Sequence, residues 1–134
     1  MQHLAASVLI ALSLAGAPPI KLTVTVDVGS ATASLHHEKA TLRCQGQHAS
    51  GRGFLRRDAA KACRLVRRGT VERVADAEKQ PRFCSQIYGG PQVAHVTGRI
   101  GKHAIDLTVT RTNGCGIDDW QALGIPSARR IAYA

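Results

Sequence analysis

Lys21-Leu-Thr-Val-Thr-Val-Asp-Val-Gly29 alternates without a break: Leu22, Val24, Val26 and Val28 fall on one side, Thr23, Thr25 and Asp27 on the other. Successive side chains of an extended chain point to opposite faces, so this pattern predicts a β-strand with one face buried, ended by a glycine. Working outward, Ser30 to Glu38 reads as a polar connection. Ala40-Thr-Leu-Arg-Cys44 is a second strand with Ala40, Leu42 and Cys44 on one side. Gln45 to Gly53, rich in Gly, Ser and His, reads as an exposed loop. A helix is predicted after Asp58, with Ala59, Ala62, Cys63 and Val66 at helical spacing and Gly69 as its stop. Thr70 to Lys79 reads as a second short helix with Val71, Val74 and Ala75 inward, halted before Pro81. Gln92–Ile100 and His103–Arg111 form a hairpin around Gly101-Lys102, where Ile105, Leu107 and Val109 alternate with Asp106, Thr108 and Thr110. From Gly116 onward the pattern fades, with Arg130-Ile-Ala-Tyr133 as a closing strand. Strands gathered around helices in this order predict an α+β fold, an antiparallel sheet with one or two helices packed on it.

The chain has 134 residues, of which only 4% are aromatic, so the core must be built from Val, Leu, Ile and Ala. Residues 4 to 16 are apolar and uncharged, and Ala15-Gly16-Ala17 fits a small-x-small cleavage site. That layout predicts a secretory signal peptide over residues 1–17 and one domain over 18–134, although no Lys or Arg precedes the apolar run and Pro18 follows Ala17. The run is too short to span a bilayer, which takes about 20 apolar residues. The expected location is therefore extracellular, with no membrane contact.

The net charge of +9 comes mostly from thirteen arginines, concentrated locally at Arg52, Arg56, Arg57, Lys61, Arg64, Arg67 and Arg68. Aromatic residues do not alternate with them beyond the single Phe54, and no nucleic-acid motif occurs, so the basic residues read as a solvated helix face. Four cysteines in an exported chain predict two disulfides, with three connectivities open. No C-x-x-C pair exists, which argues against a structural metal.

Cys84-Ser-Gln-Ile-Tyr-Gly-Gly-Pro91 reads as a short exposed peptide held at its start by a cysteine. Downstream, Arg111-Thr-Asn-Gly-Cys115 places the fourth cysteine just past a strand. Together with Thr41-Leu-Arg-Cys44 and Ala60-Lys-Ala-Cys63, these stretches resemble the subtilisin-inhibitor-like family of secreted bacterial proteins, over roughly Lys21 to Trp120. The resemblance implies disulfides Cys44–Cys63 and Cys84–Cys115, a five-stranded antiparallel sheet with two helices, and a homodimer formed through the sheet face. It also implies a partner, a subtilisin-like serine endopeptidase, and a reactive bond Gln86–Ile87. Gln86 would be the residue before the cut and Ile87 the one after it; Cys84, Ser85 and Tyr88 would flank them, and Asn113 would support the loop by hydrogen bonding. Gly89-Gly90 stands where the family often has a stiffer residue and a proline, which predicts a looser loop. Gln86, polar and uncharged, points to a protease of broad specificity.

The remaining constellations carry no chemistry of their own. His36-His37 are adjacent and would point to opposite faces of a strand, and His48, His95 and His103 are scattered. Ser85 has no neighbouring His or Asp, and Gly-x-Ser-x-Gly is absent, so neither catalysis nor a cofactor or metal is expected. If the loop does not inhibit, the expectation is a binding module that uses its basic face.

Overall fold

A computed structural model describes residues 16–30 and 33–126 of the chain. Five strands and three helices follow in the order β1 (Ile20–Ser30), β2 (Ala33–Gln45), β3 (His48–Arg52), α1 (Ala59–Arg67), α2 (Thr70–Glu78), β4 (Val93–Ile100), β5 (His103–Thr110) and α3 (Gly114–Ala122). One antiparallel sheet holds all the strands, in the spatial order β3-β2-β1-β4-β5. The alternating strand β1 lies at its centre, pairing Val24 with Ala40 on one side and with Val96 on the other. A two-faced strand with hydrogen-bonded neighbours on both edges is where a strict period of two is most useful, because its apolar side has a single face to fill.

That face is the core. Ile20, Leu22, Val24 and Val26 meet Leu42, Cys44, Ala94, Val96, Ile100, Leu107 and Val109, and the helices add Ala59, Cys63, Val66, Val71, Val74 and Trp120. Each fully buried Val or Leu stabilises the fold by roughly 1.5–3 kcal/mol relative to exposure. The opposite face is uncovered among the described residues: Lys21 lies in register with Arg43 and Arg99, and Thr23 with Thr41 and Thr97. Gly69, at φ 78°, closes α1 and opens α2 in a conformation that favours glycine.

Three elements differ from the sequence expectations. Ser30 to Glu38 is not a polar connection: β2 starts at Ala33, and Glu38 pairs with Val26, His37 with Asp27 and His36 with Val28. Its polar residues hid a strand because backbone pairing with β1 forms it. Gln45 to Gly53 is not a loop throughout, since His48–Arg52 is the edge strand β3, turned at Gly46 (φ 56°). Edge strands are short and polar, so their composition matches that of loops. The third difference is α3, where the expected pattern faded. Asp58 precedes α1 as expected, but its carboxylate makes no capping hydrogen bond. Residues 1–15 of the leader expected over 1–17, and the closing strand expected at Arg130–Tyr133, lie outside the described residues.

Both disulfides are formed. Cys44 joins Cys63 with Cα atoms 5.8 Å apart, tying β2 to α1, and Cys84 joins Cys115 at 5.2 Å, tying the segment after α2 to α3. Among the described residues no helix is long and apolar enough to cross a membrane.

Candidate functional site: the loop between α2 and β4

Residues 81–92 connect α2 to β4 with no helix or strand of their own. A connection of this length without regular structure needs other supports, and the chain supplies four. The Cys84–Cys115 disulfide is the covalent one. Arg82 forks onto Asp119, with Nη1 donating to Oδ1 at 3.1 Å and Nη2 to Oδ2 at 2.9 Å. Gly114 N donates to Ser85 O at 2.9 Å, and Gly89 N donates to Arg111 O at 2.7 Å. Arg111 also reaches toward Gln92, 3.4 Å from Nη1 to Oε1, while its guanidinium lies 5.7 Å from the centre of the Trp120 ring.

The supports fall at residues 82, 84, 85 and 89. Between the last two, Gln86, Ile87 and Tyr88 make no hydrogen bond to the body among the described residues, and all three are exposed. The Gln86 carboxamide donates within the loop, to Cys84 O at 3.3 Å. The expected site residues are therefore together on one projecting segment. Cys84 and Ser85 stand at its foot and Gln86-Ile87-Tyr88 at its crest.

Asn113 sits one step away from the loop. Its side-chain oxygen accepts from Gly116 N at 3.0 Å, which caps the N-terminus of α3. Its neighbour Gly114 makes the bond to Ser85, and a Cβ at Gly114 would collide with the Ser85 hydroxyl. Asn113 thus starts the helix that carries Gly114, Cys115 and Asp119 to the loop.

The two glycines also play a different part from the loosening expected of them. A Cβ at Gly89 would stand 2.8 Å from Ile117 Cγ1 and 3.1 Å from Arg111 O, so the backbone approaches α3 as closely as only glycine permits. Gly90 has φ 130°, a conformation other residues rarely adopt. Close approach accounts for glycine at 89, and the backbone conformation for glycine at 90.

Arg82, Asp119 and Glu78 form the electrostatic centre beneath the loop. Asp119 is buried and its charge is answered by the Arg82 guanidinium. Hydrogen bonding to Asp119 raises the Arg82 pKa above its ordinary value. Burial, and after it the nearby Asp119 charge, pushes the Glu78 carboxyl up, with Arg82 opposing. None of these three appeared among the site residues expected from sequence. The available signal was the pair Cys115 and Asp119, four residues apart and so on one face of any helix there. Gly114 and Gly116, poor helix formers, masked it.

Other features do not converge on this loop. His37 touches the Asp27 carboxylate across β1 and β2, with His95 Nε2 4.0 Å from the same group. Among the described residues no group of three or more His, Cys, Asp or Glu side chains could hold a metal ion. A groove of about 700 Å³ runs between α1 and α3, lined by Leu65, Leu123 and Ile125 and rimmed by Lys61, Arg64 and Arg68, with no Ser, Cys or His in its wall among the described residues. No known family model matches the sequence, and no curated protein matches it.

Proposed function

We propose that this chain is a secreted inhibitor of subtilisin-like serine proteases that offers Gln86–Ile87 as its reactive bond. One observation carries the reading: a three-residue crest, Gln86-Ile87-Tyr88, is exposed between backbone anchors at Ser85 and Gly89 and beside a disulfide at Cys84. An extended peptide lies along a protease cleft as an added strand, so its backbone supplies affinity and its side chains supply selectivity. Holding that peptide in shape beforehand removes most of the ordering cost of binding.

The same supports account for inhibition in place of digestion. When the serine hydroxyl of the protease attacks the Gln86 carbonyl, the C–N bond to Ile87 breaks and the Ile87 amine takes up the proton. Cys84–Cys115 on one side and the Gly89–Arg111 bond on the other keep that amine beside the ester. It re-forms the peptide bond and releases the serine. The β-branched side chain of Ile87 crowds the path of water. The chain contributes no catalytic group of its own.

Export fits the two closed disulfides, which persist in oxidising compartments, and the leader-like residues 1–17. The resemblance also implies self-association through the sheet, whose polar face is uncovered among the described residues.

Titration of the purified protein against a subtilisin tests the proposal. Stoichiometric loss of activity, with slow cleavage confined to Gln86–Ile87 by mass spectrometry, is expected. Undiminished activity with steady degradation of the protein would overturn it. The second reading, a binding module, would then stand on Arg56, Arg57, Lys61, Arg64 and Arg68, all exposed and without a carboxylate partner among the described residues.

A further inference from the structure

The groove between α1 and α3 is walled by side chains that the core covers on one side only. Phe54, Leu55, Leu65, Leu123 and Ile125 pack against the core and remain half-buried. Contiguous apolar surface of this kind marks a binding site, where a lone exposed side chain does not. The groove's volume, about 700 Å³, falls within the roughly 300–1,000 Å³ of small-molecule sites. Its wall continues inward. A narrow cavity of about 50 Å³ shares Leu65, Leu123 and Ile125 with the groove and reaches Leu22, Val24 and Val96 on the sheet.

The mouth of the groove is charged. Lys61, Arg64 and Arg68 stand at its rim, three and four residues apart along α1 and its C-cap, and so on one side of the helix. None of the three meets a carboxylate among the described residues, and Asp58 is the acidic residue of the rim. In the wall below, Trp120 Nε1 and Arg111 Nε are buried donors without an acceptor among the described residues. The Arg111 guanidinium, 5.7 Å from the centre of the indole, adds a fourth positive charge to the wall. Charges of one sign around an apolar hollow favour an occupant with a head of the other sign. Residues 127–134 follow Pro126 at the groove, but they carry Arg129 and Arg130 and no acidic side chain, which is the sign the rim repels.

We infer that the groove binds a long-chain fatty acid, with its hydrocarbon tail directed inward along Leu65 and Ile125 and its carboxylate held at Lys61, Arg64 and Arg68. The inner cavity has room for the end of an alkyl chain and for no folded partner, which selects a tail over a helix or a peptide. Burial of the apolar wall supplies the affinity, and the rim charges fix which end stays at the mouth. This site is separate from Gln86–Ile87 and does not rest on the inhibitor reading.

Calorimetric titration of the purified, delipidated protein with dodecanoate, kept below micelle formation, tests the inference. Trp120 is the single tryptophan of the chain, so its emission reports on the groove alongside. One molecule should bind per chain, with a change in Trp120 emission. Each two methylenes added between octanoate and dodecanoate should tighten binding roughly 10-fold. Neutral dodecanol should bind about 10-fold more weakly than dodecanoate, and Lys61→Gln/Arg64→Gln/Arg68→Gln should erase that preference at unchanged melting temperature. Absence of saturable binding, equal binding of dodecanol and dodecanoate, or a triple variant that keeps the wild-type preference overturns the inference. So does binding confined to anionic vesicles, which would make the rim a membrane contact. Binding gained only in Ile131→Ser/Tyr133→Ser would overturn it as well, by showing that the chain's own segment fills the groove. The inhibitor reading is decided separately, by the protease titration.

Discussion

Arg82 and Asp119, 37 residues apart in the chain, meet fork to fork with contacts of 2.9 and 3.1 Å, and Asp119 is buried beneath the pairing. Parallel guanidinium–carboxylate bonds fix orientation as well as distance. The pair sets the stem of the 81–92 loop against α3 one turn beyond the disulfide, so the stem has two attachments and cannot swivel about either.

Breaking that fork should cost more than a surface ion pair. Arg82→Ala leaves a buried carboxylate unanswered and should lower stability by about 1–3 kcal/mol. Arg82→Lys should recover only part, because an ammonium cannot make two parallel bonds. The double variant Arg82→Ala/Asp119→Ala should lose less than the sum of the single changes. Urea unfolding checks all three, and strict additivity would show that the fork is not a functional unit.

The two disulfides should separate stability from function. Cys84→Ser/Cys115→Ser opens a cross-link spanning 31 residues and should cost about 3–4 kcal/mol in the chain-entropy account. Cys44→Ala/Cys63→Ala opens one spanning 19 and should cost about 3 kcal/mol or more, since both sulfurs are buried in the core. Loop cleavage by a subtilisin should become rapid in the first variant and stay slow in the second at a temperature where both are folded. Equal cleavage rates would count against the loop staple.

Gly89→Ala should destabilise the loop, although alanine ordinarily stiffens a chain. Its methyl group would press on Ile117 and on the Arg111 carbonyl that Gly89 N bonds. A cost of about 1–3 kcal/mol is expected from overpacking of this kind. Faster hydrogen exchange at the Gly89 amide, with slow exchange kept in β1, would place the damage locally. Unchanged exchange at Gly89 would show that α3 yields.

Glu78 gives a pH test. Burial raises its folded pKa above the ordinary 4.5, so the carboxyl is harder to ionise in the fold than in the unfolded chain. Well below pH 4.5 it is protonated in both states and contributes nothing to the difference. As pH rises through the folded pKa, ionisation costs stability, and the cost is complete above it. Glu78→Gln should therefore melt slightly higher than wild type at pH 7 and at the same temperature near pH 3. A variant that melts lower at pH 7 would show that Arg82 compensates the charge in full.

Strand β1, helices α1 and α2, and the β4–β5 hairpin were legible in sequence because each has a clear period set by a single buried face. Val24, Val66, Val74 and Leu107 all fall where their spacing puts them. Strand β3 and the first half of β2 were not, since both owe their shape to backbone pairing with neighbouring strands. Helix α3 was hidden by Gly114 and Gly116, which the Ser85 hydroxyl and the Thr110 carbonyl require at those points. Gln86, Ile87 and Tyr88 were recognisable as a segment.

By itself the amino-acid order determined the class of fold, the inward side of its central strand, and the presence of an uncovered peptide after Cys84. Those properties are local, written in periods of two and 3.6 residues. Only the folded chain decided which cysteines meet, which carboxylate answers Arg82, and where the loop is pinned. Those choices depend on α3 coming to rest beside residues some 30 positions earlier, and no short-range pattern encodes a distance between two segments that touch only after the sheet has brought them together.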